Sequence, residues 1–269
     1  MREILSPFKS REKFKQIIIC TLVFLGMAVP FKVMVLIPGL TEVRPVNAVP
    51  VVVGLLLGPA GAWGCAFGNL IADAFGTFSN ASILGFFGNF AAAYVPYKLW
   101  HMISGGTEPN VKNGLNLIKY IVISFIGALS TAIILACGLD VFFGTWISGL
   151  FWIILLNDFC FPVFLGLPVF IIITSDDSSL KITMPEEVSI NKEKKRYVYL
   201  KYLLPTLMLA SEIIILIMIV IGKQMSSYIP MYITGAIFII ALLGFIVFKY
   251  ENKLLVKKVV VYCMKKMFI

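Results

Sequence analysis

The sequence predicts an all-α fold, a polytopic bundle of membrane helices, and three observations carry that prediction. Of 269 residues, 59% are hydrophobic and 14% charged, where a soluble domain holds about 45–50% apolar and about 25% charged residues. The apolar residues are gathered into runs near the roughly 20 residues that a spanning helix needs. Pro and Gly fall between the runs rather than at random, as helix breakers should.

Residues 1–16 are polar and basic, and the apolar run 17–37 follows. Its length exceeds that of a signal-peptide core and no small-x-small cleavage site comes after it, so it reads as a retained first helix. Pro38-Gly39 ends it. Runs 46–57 and 60–75, split by Gly58-Pro59, are short for full spans and are expected to lie tilted or covered by neighbours. Runs 83–100, 115–138 and 146–174 complete six helices, and runs 197–221 and 229–248 add two more. The expected organisation is a six-helix membrane core over 1–174, a cytoplasmic loop over 175–196, a transmembrane hairpin over 197–250 and a basic tail over 251–269.

The net charge of +9 has a topological owner. If all eight runs span, five Lys/Arg lie in the N-terminal segment. Three (Lys98, Lys112, Lys119) follow the fourth helix, six lie in 175–201 and six in the tail. These twenty share one face, leaving Lys32, Arg44 and Lys223 for the other. The positive-inside rule then places both termini in the cytoplasm.

That orientation gathers the membrane's polar residues in the outer half of the first six helices. Lys32 stands near the end of the first run; Glu42, Arg44 and Asn47 lie in the loop 38–50. Asn69 and Asp73 are four apart and share a helical face. Asn89 lies roughly 10 Å into the fourth helix from the outer side, Asp140 in the loop before the sixth, and Asn157-Asp158 near mid-bilayer. A charge at a helix centre costs about 2.5–3.5 kcal/mol on insertion scales, so such groups pair or line a wet cavity. The expected site is an outward cavity for a small polar or amphipathic molecule; the plainer reading is a set of interhelical pairs. Glu212, alone in the middle of the seventh run, reads as a structural or partner-pairing residue.

Other signals read as packing. Ala60, Gly64, Gly68, Ala72 and Gly76 recur every four residues, a small-residue ridge that lets helices approach closely. Trp63, Trp100 and Trp146 fall near run ends as interfacial anchors. The lone His101 and the scattered Cys20, Cys65, Cys137, Cys160 and Cys263 form no metal or disulfide pattern. No P-loop, His-Glu-x-x-His or Gly-x-Ser-x-Gly occurs. No catalytic residue, metal or cofactor is therefore expected, and with only four Arg no nucleic acid is expected either. The reading is not an enzyme; the alternatives are a membrane enzyme using Asp73 and Asp158 with a metal on a lipid or isoprenoid, or a ligand-free structural subunit.

Three segments resemble a known family. They are Pro38-Gly-Leu-Thr-Glu-Val-Arg-Pro-Val-Asn47, Gly54-Leu-Leu-Leu-Gly-Pro-Ala-Gly-Ala62 and Gly68-Asn-Leu-Ile-Ala-Asp73, continued by Gly85-Phe-Phe-Gly-Asn89 and Tyr94-Val-Pro-Tyr97. Together they look like the substrate-binding S component of energy-coupling factor (ECF) transporters, with two C-terminal helices added. The resemblance implies a six-helix core and a vitamin-like or other micronutrient ligand held under the loop after the first helix. It also implies a bacterial or archaeal cytoplasmic membrane, a membrane coupling (T) subunit and two ATPase subunits. It makes the loop 38–50 a lid and turns Asn89, Asn157 and Asp158 toward the ligand; together with the polar residues read above, the expected ligand-binding residues are Glu42, Arg44, Asn47, Asn69, Asp73, Asn89, Asn157 and Asp158.

Overall fold

The computed structural model describes residues 3–37, 41–76, 78–104, 107–147, 149–175 and 198–248. The predicted loop 175–196 and tail 251–269 fall almost wholly outside them. Among the described residues eight helices make an all-α bundle: α1 Arg11–Ala28, α2 Ala48–Leu57, α3 Pro59–Ala74, α4 Asn80–Ile103, α5 Gly114–Phe143, α6 Leu150–Ile173, α7 Val198–Val220 and α8 Ile229–Val247. Five helical stretches among the described residues are long and apolar enough to cross a membrane: Arg11–Phe31, Gly114–Phe143, Leu150–Ile173, Tyr202–Val220 and Ile229–Val247. The chain is a multi-pass membrane protein on that ground. At 24 residues, α4 is also long enough, roughly 36 Å, but its amides and Lys98 make it less apolar. It is the buried centre of the bundle, with most side chains from Ala81 to Trp100 hidden.

The first helix is shorter than its apolar run. Pro30 lacks the N–H that would bond Gly26, so α1 ends at Ala28 and a 3-10 turn, Val29–Phe31, follows. The remaining apolar residues turn extended: β1 Val35–Ile37 pairs antiparallel with β2 Thr41–Glu42. Lys32 therefore stands in a loop rather than in a helix. Gly58 reverses the chain between α2 and α3 at φ +57, a left-handed conformation that costs glycine least. Ser79 and Ser82 form a capping box at the start of α4. Two longer helices each carry a π-helical turn, Ile133–Cys137 in α5 and Pro162–Gly166 in α6. Tyr120 Oη donates to Pro162 O at 3.0 Å, satisfying a carbonyl loosened there.

Close contacts fix the helix directions. Gly64 of α3 sits against Cys20 of α1 and Gly68 against Phe24, so α1 and α3 run parallel and the small-residue ridge packs within the chain. Pro96 of α4 fits over Gly127 of α5, and Thr131 bonds Gly88 O at 3.2 Å, an antiparallel pair. Ser130 with Glu212, and Asp140 with Ser226, set α7 parallel to α5. Lys98 at the end of α4 donates to the carbonyls of Phe245 and Ile246 at 2.8 Å, and to Phe248, at the end of α8. It also faces Glu3 at 3.8 Å. The described ends of the chain thus meet at one end of the bundle.

Three expectations need correction. Asp140 belongs to the last turns of α5 rather than a loop, 3% exposed, and accepts from Ser226 N at 2.8 Å and Ser226 Oγ at 2.6 Å. Trp100 is fully buried instead of anchoring an interface, with Nε1 donating to Thr107 O at 3.1 Å. Lys98 is no loop charge either: it is buried and caps the free carbonyls of α8.

Candidate functional site

At the end opposite Lys98, the segment after the β-hairpin folds back over the bundle. Arg44 precedes the 3-10 turn Pro45–Asn47, whose Pro sets φ for the turn. A cleft opens between this turn and α4, α5 and α6, with about 30 Å³ of interior space, roughly the room of one water molecule. Its lining has the character of a ligand site, apolar walls with a few convergent polar groups. Here the polar groups are Arg44, Asn47, Asn89, Thr131, Asn157 and Asp158, against Leu135, Leu139, Leu150 and Ile154.

The polar groups converge from four separate elements. Asn47, 7% exposed, donates through Nδ2 to Asp158 Oδ1 of α6, tying the turn to mid-helix. Asn89 is held by its own helix, Nδ2 donating to Gly85 O at 2.9 Å. Thr131 Oγ1 donates to the Gly127 carbonyl at 2.9 Å. Arg44 Nη2 donates to Asn69 Oδ1 at 2.6 Å, which points to a second polar group behind the cleft. There Asn69 Nδ2 reaches Asp73 Oδ2 at 3.2 Å, and Asp73 Oδ1 pairs with Lys32 Nζ at 2.8 Å. Gly85 makes room for that amide, since a Cβ on it would lie 2.7 Å from Asn69 Nδ2.

Of the eight residues predicted for the site, five line the cleft: Arg44, Asn47, Asn89, Asn157 and Asp158. Asn69 and Asp73 do not line it; they are joined to it through Arg44, in an interhelical network whose ion pair closes α3 against the segment after α1. The Glu42 side chain lies outside what the structure describes. Thr131 was missed. The signal was present in Ser130-Thr131, the hydroxyl pair within an otherwise apolar stretch of α5, but hydroxyls bond their own helix so readily that they carry little weight in a sequence. The apolar wall was missed because aliphatic side chains crowd every face of α5 and α6, so the sequence does not mark Leu135, Leu139, Leu150 and Ile154 as facing a cleft.

The arrangement can hold an occupant by hydrogen bonds from amides and a guanidinium, by a carboxylate and by aliphatic contact. Among the described residues no group of three His, Cys, Asp or Glu could hold a metal ion. No family model, no curated protein and no solved structure matches this chain.

Proposed function

We propose that the chain is the substrate-binding membrane subunit of an ECF-type transporter, taking up a vitamin-like or other small micronutrient. In this reading α1–α6 are the six-helix S-component-like core, α7–α8 are an added hairpin, and both termini face the cytoplasm of a bacterial or archaeal cell. One observation carries it: Arg44, Asn47, Asn89, Thr131 and Asp158 converge on a cleft at the end of the bundle away from Lys98, Lys112 and Lys119. A ligand-free structural subunit would need no such convergence, because polar groups inside a membrane are costly.

The ligand would enter from outside and displace the Asn47–Asp158 contact, trading it for contacts of its own. The segment that carries Arg44 and Asn47 then closes as a lid. Nothing in the chain hydrolyses ATP by a P-loop, so a coupling subunit and two ATPase subunits would supply the energy. The test is purification of the tagged chain from its native membrane in mild detergent, with mass spectrometry of what accompanies it. A membrane coupling subunit with ATPases is expected; substrate uptake by the chain alone, unaffected by loss of ATPase activity, overturns the energised reading.

A further inference from the structure

Glu212 lies midway along α7 and is 1% exposed. Its Oε1 accepts a hydrogen bond from Ser130 Oγ of α5. Its Oε2 is buried with no hydrogen-bond partner among the described residues. The neighbouring Ser211 gives its hydroxyl to Met208 O at 2.8 Å, inside the same helix.

No counter-charge comes from the helices packed against it. On α5 the titratable groups are Lys119, Tyr120, Cys137 and Asp140. Lys119 lies roughly 16 Å along the helix from Ser130 and bonds Ser104 and Asn116. Asp140 lies roughly 15 Å the other way and holds Ser226. Tyr120 donates to Pro162 O, and Cys137 is a buried free thiol. On α8 there is only Tyr232, more than half exposed. On α7 itself Tyr199, Lys201 and Tyr202 stand near its start, three turns or so before Glu212. A metal ion would need several oxygens, and only one carboxyl and one hydroxyl are offered. A proton needs a single oxygen.

We propose that Glu212 is a proton-binding site that holds the α7–α8 hairpin on α5. With the proton bound, a neutral carboxyl fits the dry interface. With it lost, a bare carboxylate is left there, and the interface must part to admit water or a cation. The closed state carries one proton more than the parted state, so closure is favoured at low pH and lost as pH rises. Above the transition the ratio of closed to parted forms falls about tenfold per pH unit. Thr131, beside Ser130, lines the cleft, so the turn of α5 that holds Glu212 also forms the cleft wall. The proposal does not depend on what the cleft binds.

The experiment compares the full chain with Glu212→Gln in lipid nanodiscs, by infrared spectroscopy and by thermal unfolding across acidic to alkaline pH. Wild type is expected to show the carbonyl band of a protonated carboxyl at neutral pH that Glu212→Gln lacks. Its unfolding midpoint should fall with rising pH while that of Glu212→Gln holds level. Ser130→Ala removes the donor that favours the charged form, so its transition should move to higher pH. It decides the matter if Glu212→Gln fails to fold. A wild type without the band, an equal pH dependence in Glu212→Gln, or an unmoved transition in Ser130→Ala overturns the proposal.

Discussion

Lys32 and Asp73 sit 2.8 Å apart with side chains 8% and 9% exposed, and Asn69 adds a hydrogen bond to the same carboxylate. Truncating one partner leaves the other charge buried and poorly solvated, which costs about 3–5 kcal/mol, whereas replacing both by apolar residues of similar size is close to neutral. Asp73→Ala should therefore lower the unfolding midpoint of the purified protein sharply, and Lys32→Met with Asp73→Leu should restore most of it. Equal loss in the single and double variants would mean that the pair itself is not what stabilises this corner. Asp158 differs from Asp73 in that Asn47, which donates to it, comes from a 3-10 turn in a connecting segment. One acid is locked between elements of the bundle and the other is covered by the turn Pro45–Asn47. Sequence could name both residues as polar groups in a membrane, but not which would be spent on structure.

At the scale of elements, close approach is what assembles the bundle, because lipid supplies no hydrophobic force between helices. A Cβ on Gly54 would lie 2.1 Å from the Ala93 carbonyl oxygen of α4, and on Gly64 it would lie 2.3 Å from the Cys20 Cβ of α1. Backbone cannot step aside, so Gly54→Ala should cost about 1–3 kcal/mol and loosen α2 from α4. Gly26→Ala, with nothing within 4 Å, should leave the unfolding midpoint unchanged; equal effects would show that the crossing is not tight. The helices themselves were legible: each apolar run has a counterpart, and the Gly58-Pro59 break and the small-residue ridge do what their chemistry implies. What was illegible has physical causes. Val35, Leu36 and Ile37 are apolar whether extended or helical, so a short strand cannot be told from a helix end by composition. Asp140 looked like a loop residue because nothing in its neighbours announces Ser226, 86 positions away. Trp100 suits an interface as well as a core, and only the chain's return to Thr107 decides it.

For the whole molecule, Lys98, Lys112 and Lys119 lie at the end opposite the cleft, and Lys98 draws both described ends of the chain to that end. The cleft is assembled late in this topology. It needs the turn after the β-hairpin, α4, α5 and α6 together, so no single segment announces it. Five of its residues could still be named from sequence, because amides and charges are rare in this composition and alternation of helices sets their depth. The direct test of binding is native mass spectrometry of the chain purified alone, beside Asn89→Ala and Asp158→Ala variants with folding checked by unfolding midpoint. A small molecule retained by wild type and held at least about tenfold more weakly by each variant, the weight of one good hydrogen bond to a charged or buried group, is the expected result. A wild type that is reproducibly empty, or folded variants that hold the molecule as tightly as wild type does, would contradict it.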